Sequence, residues 1–206
     1  MDSNHLVQEI LDFWFGSPDS AELGRRRKVW FQATREFDQE IRQRFSEANR
    51  LASSGALDEL KQTQTGTLAL IILLDQFSRN IFRGAPQAFA NDSKARYLAE
   101  YALEKRFDKN ILTVQRLFFY LPFGHTEALE FQEKSVSLFV NLGEPFLQHA
   151  LCHRDQIVRF GRFPDRNKAL GRLSTKAVKG IWRHDSESVP VREVVQEHKA
   201  AAGAPP

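Results

Sequence analysis

Apolar positions recur every three or four residues along most of the chain. Leu6, Ile10, Phe13 and Trp14 form the stripe of an amphipathic helix that stops at Gly16. Phe37, Ile41, Phe45, Ala48 and Leu51/Ala52 form a longer stripe closed at Gly55, a residue free to take a left-handed cap. Between them Pro18, Asp19 and Ser20 read as a loop, and Arg25 to Lys28 as a solvated basic run. Thr65-Gly66-Thr67 then lead into Leu68-Ala-Leu-Ile-Ile-Leu-Leu74. An unbroken apolar run fits a buried strand or a buried helix. No second strand-like run exists to pair with it, and Asp75 and Arg79 continue at helical spacing, so the pattern predicts a helix that is apolar all round and therefore central.

Beyond a Gly84-Ala-Pro86 turn, Asn91 or Asp92 is placed to cap a helix through Ala95, Leu98, Ala99 and Ala102. Another is expected from about Lys109 to Leu121, closed by Pro122. Thr126 reads as the cap of the next, with Leu129, Val136, Phe139 and Val140 on one face and Gly143 after its end. Pro145 suits the first turn of a helix that runs to Phe160. Gly161 to Gly171 reads as a loop, and Ser174 or Thr175 as the cap of a last helix containing Ile181 and Trp182. The expected fold is all-α: an antiparallel array or bundle of about eight or nine helices. A single domain is expected over residues 1–185, followed by a polar Ala/Gly/Pro-rich tail, 186–206, expected to be disordered.

Composition narrows the class. The 206 residues are 42% hydrophobic and 27% charged, a globular balance with enough chain for one sizeable core. The single cysteine, Cys152, leaves no internal disulfide and reads as a packed residue. No stretch approaches the roughly 20 apolar residues that span a membrane, and the start of the chain lacks a basic-then-apolar leader, so a cytoplasmic protein is expected. The net charge of +3 is unevenly spread. Between Arg154 and Arg183 nine Arg and Lys face only Asp155 and Asp165, so the remainder is net acidic. That asymmetry fits an anionic ligand near this segment, or a set of arginines serving as internal partners for acids elsewhere.

Three clusters place polar groups where apolar ones are expected. Asp75 prolongs the face of the all-apolar helix, where an ionised carboxylate costs several kcal/mol, about the energy of a whole side chain's burial, unless paired. Arg79 lies one turn on, with Asn80 and Arg83 following; the group is either a structural ion pair or the wall of a pocket. The second cluster is His125-Thr126-Glu127 with Gln132: a histidine beside a helix start, a candidate for proton transfer, with Glu127 to orient it or simply to suit the first turn. The third is His153-Arg154-Asp155, then Arg159-Phe-Gly-Arg162-Phe163-Pro-Asp-Arg166-Asn167, where guanidinium and aromatic groups alternate. Such groups bind carboxylate or phosphate as forks, or form an internal latch.

No phosphate loop, dinucleotide fingerprint, serine elbow or zinc-protease motif occurs. His149 and His153 have helical spacing, but two imidazoles without a third ligand do not make a metal site, and no cofactor is implied.

Three stretches together resemble a known bacterial family, domain of unknown function nine-two-four. They are Leu73-Leu-Asp-Gln-Phe-Ser-Arg-Asn-Ile-Phe-Arg-Gly84; His125-Thr-Glu127 with Gln132 and Ser135-Val136; and His153-Arg-Asp155 with Arg159-Phe-Gly-Arg-Phe-Pro-Asp-Arg-Asn167 and Leu170-Gly-Arg172. Ile10-Leu-Asp-Phe-Trp-Phe-Gly16 and Trp30-Phe31 are also similar, so the resemblance covers roughly Leu6 to Trp182. It implies a tetratricopeptide-like helical fold and no activity. Ser78 stands where that family usually has proline, Asp165 where histidine is common and Leu60 where tryptophan is usual.

The leading expectation is an enzyme or binder for a small carboxylate- or phosphate-bearing molecule, using acid–base chemistry without metal or nucleotide cofactor. His125, Glu127 and Asp75 would be its catalytic groups. Arg79, Asn80, Arg83, Gln132, His153, Asp155, Arg159, Arg162, Phe163, Arg166 and Asn167 would line the site. The alternative is a peptide- or protein-binding helical scaffold, which would expose Phe82, Phe89 and Phe163 along a groove. Nucleic acid fits less well, because arginines spaced to pair with acids do not form a phosphate-tracking stripe.

Overall fold

In the computed structural model, residues 2–174 are described, and every element below belongs to the compact unit that ends at Arg172. The regular structure among the described residues is all helical, with no strand. Helix α1, Ser3–Phe15, is capped by the Asp2 carboxylate, which accepts the Asn4 N–H at 3.0 Å, and ends at Gly16. Its stripe of Leu6, Ile10, Leu11 and Trp14 is buried. Arg27 is not part of a solvated run. Its guanidinium donates to the Phe13 and Trp14 carbonyls at 2.6 and 2.9 Å, closing the orphan acceptors at the end of α1.

Helix α2, Arg35–Ser54, is capped by Thr34 and ends at Gly55, where φ is 89°. Only a residue without Cβ takes that conformation cheaply, and it lets Ala56 donate back to the Leu51 carbonyl. Helix α3 runs without a break through three segments: Gln64–Ile71 as α, Ile72–Phe77 as a π turn, and Ser78–Ile81 as α again. It is the central helix, touching α1, α2 and the later helices Asp92–Glu104 and Thr113–Gly124, and Leu68 to Leu74 are 0–3% exposed. Inside the π turn the ladder is supplemented from outside, with Asn49 of α2 donating to the Leu73 carbonyl at 2.7 Å. Gly66 lets α3 start against the preceding turn, since a Cβ there would collide with the Leu60 carbonyl. Gly66→Ala is therefore expected to lose about 1–3 kcal/mol, read as a lower denaturation midpoint at unchanged m-value.

The remaining helices are α4 (Asp92–Glu104), α5 (Thr113–Gly124), α6 (Leu129–Val140) and α7 (Phe146–Phe160). Consecutive helices α4 to α7 pack on one another. Among the described residues there are thus seven long helices, fewer than the eight or nine expected. The stretches 28–30, 58–62, 86–89 and 164–166 close only short 3-10 turns. The last expected helix and the tail lie outside the described residues. Two boundaries differ from expectation near the site. Pro122 does not end α5: it lies in the final turn, where one lost N–H is tolerable, and the His125 N–H still bonds the Leu121 carbonyl at 3.1 Å. Thr126 does not cap α6. Its hydroxyl donates backwards to the Pro122 carbonyl, so His125 closes the C-terminal end of α5 instead of opening α6.

Candidate functional site

The π turn of α3 carries Asp75, whose side chain is wholly buried. One carboxylate oxygen, Oδ1, lies 2.7 Å from His125 Nδ1 and 3.0 Å from an Arg79 Nη; the other accepts from the Gln76 amide. Burial by itself would raise the carboxyl's proton affinity. The Arg79 charge and the His125 and Gln76 contacts outweigh it and hold Asp75 well below the usual carboxylate range. An ionised carboxylate only accepts, so His125 Nδ1 carries the hydrogen and the ring is fixed by its partner. His125 Nε2 has no hydrogen-bond partner among the described residues.

Arg79 and Arg166 converge on one acid. Arg79 forks onto Asp92 at 2.9 and 3.1 Å, and Arg166 reaches the same carboxylate at 3.0 Å while its other Nη donates to the His125 carbonyl at 2.9 Å. The Arg166 guanidinium lies 4.6 Å from the Phe89 ring centroid and 4.5 Å from that of Phe163, between two π faces. Its pKa is lowered by burial, against the pull of Asp92.

These groups wall a cavity of about 430 Å³, lined by Arg79, Arg83, Phe89, His125, His153, Gln156, Phe163, Asp165 and Arg166 among others. A second cavity of about 340 Å³ shares Phe89, His125 and Arg166 and adds Asp92, Arg96, Glu127 and Arg172. Both are of the size that takes a small metabolite. His153 lines the first cavity, its Nδ1 3.1 Å from the Gly124 carbonyl. Burial first, then the adjacent His149 and His125, push His153 down to about 2; burial with His125 and Arg26 pushes His149 to about 4. Both rings are therefore neutral at physiological pH. Among the described residues no group of three or more His, Cys, Asp or Glu is placed to hold a metal ion.

Of the residues singled out in the sequence, Asp75, Arg79, Arg83, His125, His153, Phe163 and Arg166 come together here. Glu127 does not touch the His125 ring. It accepts the Phe163 N–H at 2.9 Å and pairs with Arg172 at 2.7 Å, facing the second cavity. Asn80 and Arg83 both bond Asp38 of α2, so Asn80 is tied away from the site. The Gln132 amide donates to the Gly124 and Thr126 carbonyls and fixes the turn that carries His125. Asp155 pairs with Arg154, Arg159 is exposed, and Arg162 and Asn167 lie outside both linings. Asp92, Asp38 and Gln156 carry no motif that would have marked them: Asp92 reads as a helix cap, and its pairing with Arg166 joins residues 74 apart.

The cations are largely matched. Arg79 and Arg166 face Asp75 and Asp92, Arg83 faces Asp38, and Asp165 adds a further acid to the wall. Donors nevertheless remain, since a guanidinium has five N–H groups and the Arg166 bonds to Asp92 and to the His125 carbonyl take one from each Nη.

The family described as "Bacterial protein of unknown function (DUF924)" matches residues 10–180. The chain is also similar to a solved protein of unknown function from Agrobacterium tumefaciens, with 37% identity and a TM-score of 0.80 over 89% of this chain and 99% of that one. No curated protein sequence matches.

Proposed function

The chain belongs to the bacterial DUF924 family, and from the geometry of its cavity we propose that it binds a small anionic molecule and acts on it by acid–base chemistry at His125. The carrying observation is the Asp75 carboxylate, buried completely and aimed at His125 Nδ1 at 2.7 Å. That bond leaves Nε2 as the ring's acceptor and would stabilise the imidazolium formed when Nε2 takes a proton from a bound substrate. Arg79, Arg83 and Arg166 supply the donors that would hold a carboxylate or phosphate group. Because acids already match these cations, recognition would rest on hydrogen-bond geometry more than on net charge.

The pairing of consecutive helices supports a tetratricopeptide-like stacking. No helix among the described residues is long and apolar enough to cross a membrane, which fits action on a cytoplasmic metabolite. The scaffold alternative has less support. Phe163, one of the aromatics a peptide groove would expose, is 4% exposed and packs on Arg166 and His153.

Thermal-shift measurements with mono- and dicarboxylates and phosphate monoesters test the reading. At a hundredfold excess over Kd a ligand adds about 2.7 kcal/mol of stability, a rise of several degrees in Tm. At least one compound is expected to give it, and His125→Asn is expected to abolish turnover of that compound while the arginine wall still binds it. No shift with any compound, or turnover unchanged in His125→Asn, would overturn the proposal.

A further inference from the structure

His153, like His125, has its hydrogen-bonding role settled by its surroundings. Its Nδ1 faces the Gly124 carbonyl at 3.1 Å, and a carbonyl only accepts, so Nδ1 carries the hydrogen and Nε2 is a lone pair. Nε2 has no hydrogen-bond partner among the described residues. The ring cannot readily turn over, because it packs edge-on against Phe163 with centroids 5.2 Å apart and against His149 at 4.2 Å. Phe163 is itself pinned through its N–H to Glu127. A Cβ at Gly124 would press on Ser135 Oγ at 3.1 Å and would meet His153 Nδ1 at an ordinary contact distance of 3.6 Å. Protonation cannot convert this acceptor into a donor at ordinary pH, since burial holds the ring neutral.

A fixed acceptor in a cavity discriminates by what it leaves unpaired. A ligand that brings an O–H or N–H satisfies it, whereas an otherwise identical ligand without one strips its water and returns nothing. The His125 ring lies 5.9 Å away, centroid to centroid, and the guanidinium groups of Arg79, Arg83 and Arg166 occupy the neighbouring wall. One small molecule can therefore meet both histidines and the arginines at once. We propose that His153 is the specificity-determining acceptor of this cavity and selects small carboxylates that carry a hydroxyl or amino hydrogen, hydroxy acids or amino acids, over plain carboxylates. The inference rests on the anion-site reading given above and assigns its ligand class.

Malate and succinate differ by a single hydroxyl and make a matched pair of probes. Histidine ¹⁵N resonances are followed while the full chain is titrated with each. Malate is expected to move His153 Nε2 and to bind at least about tenfold more tightly than succinate. That preference is expected to vanish in His153→Leu and to survive in His153→Gln, which keeps both a donor for Gly124 and an acceptor. Equal affinities in the native chain, with His125 responding to both acids, would overturn the assignment of His153 while sparing the anion site. Silence at both histidines would overturn the two together. Titration of free His153 above about pH 5 would sink the fixed-acceptor argument without any ligand. Should the leucine variant fail to fold, the native malate-to-succinate ratio and the His153 resonance decide the matter alone.

Discussion

Asp75→Asn is expected to cost the fold about 3 kcal/mol, the lower end of what removing one partner from a buried ion pair does. The substitution keeps the size of the side chain but removes its charge and turns one accepting oxygen into a donating amide, so the loss is electrostatic and one of hydrogen bonding. Arg79 keeps Asp92, which is why the lower end applies. His125 would lose the anion at Nδ1 that orients it, so the same variant is expected to lose turnover along with stability. Asp38→Asn is the comparison: its partner Arg83 is half exposed, and about 1 kcal/mol or less is expected there. Denaturant unfolding of both variants checks the ordering. Equal losses would mean that Asp75 is no more than one ion-pair member among several.

Acid is expected to destabilise the protein well above the pH at which ordinary carboxylates titrate. His149 and His153 have depressed proton affinities in the folded state, about 4 and about 2, against an ordinary value near 6.5. Between those limits the unfolded chain binds more protons than the folded one, so stability is complete above pH 6.5 and falls as the pH drops towards the folded-state values. Each histidine contributes a slope of about 1.4 kcal/mol per pH unit, and together they remove about 4 kcal/mol between pH 7.5 and pH 5. Asp75 adds to the loss only lower, because its stabilising charge is present above its ordinary value of 3.8 and disappears below it. Denaturation midpoints collected from pH 8 to pH 4.5 measure the slope. His153→Gln, which cannot titrate, is expected to halve it; an unchanged slope in that variant would show that His153 is protonated without penalty.

The helices were legible where one face is apolar and the ends carry capping residues. Leu6 to Trp14 with Gly16, and Phe37 to Ala52 with Gly55, place the ends of α1 and α2 within three residues. In Leu68 to Leu74 every position is apolar, so there is no phase to read, and the π turn left no trace in the pattern. The same blindness governed the site. Asp75 stood out because a charge interrupts that run. Its partner His125, 50 residues on, reads as lying beside a helix start because Pro122 reads as a stop, whereas the buried last turn of α5 absorbs the proline. Arg159 reads as a companion of Asp155 at helical spacing. In the folded chain Ile157 is buried, and a residue two further along a helix lies about 200° round, on the outer face. Asp92 shows the limit: no local pattern can announce that one carboxylate will serve two arginines from distant stretches.

That shared carboxylate also sets an order of events. Arg166 closes the wall by reaching Asp92 across 74 intervening steps of chain, while Asp75 and His125 are separated by 50. Contacts this remote form only after the intervening helices have settled, since loop closure must precede any reward from the contact. During synthesis a ribosome would have released the first two-thirds of the polypeptide, with its central helix already enclosed, before His153, Phe163 and Arg166, which complete the binding chamber, existed. A chain stopped short of Arg166 would retain much of its oily interior yet present Asp92 half-matched and the chamber without a wall, so ligand capture, when found, will double as a proof that the molecule was finished.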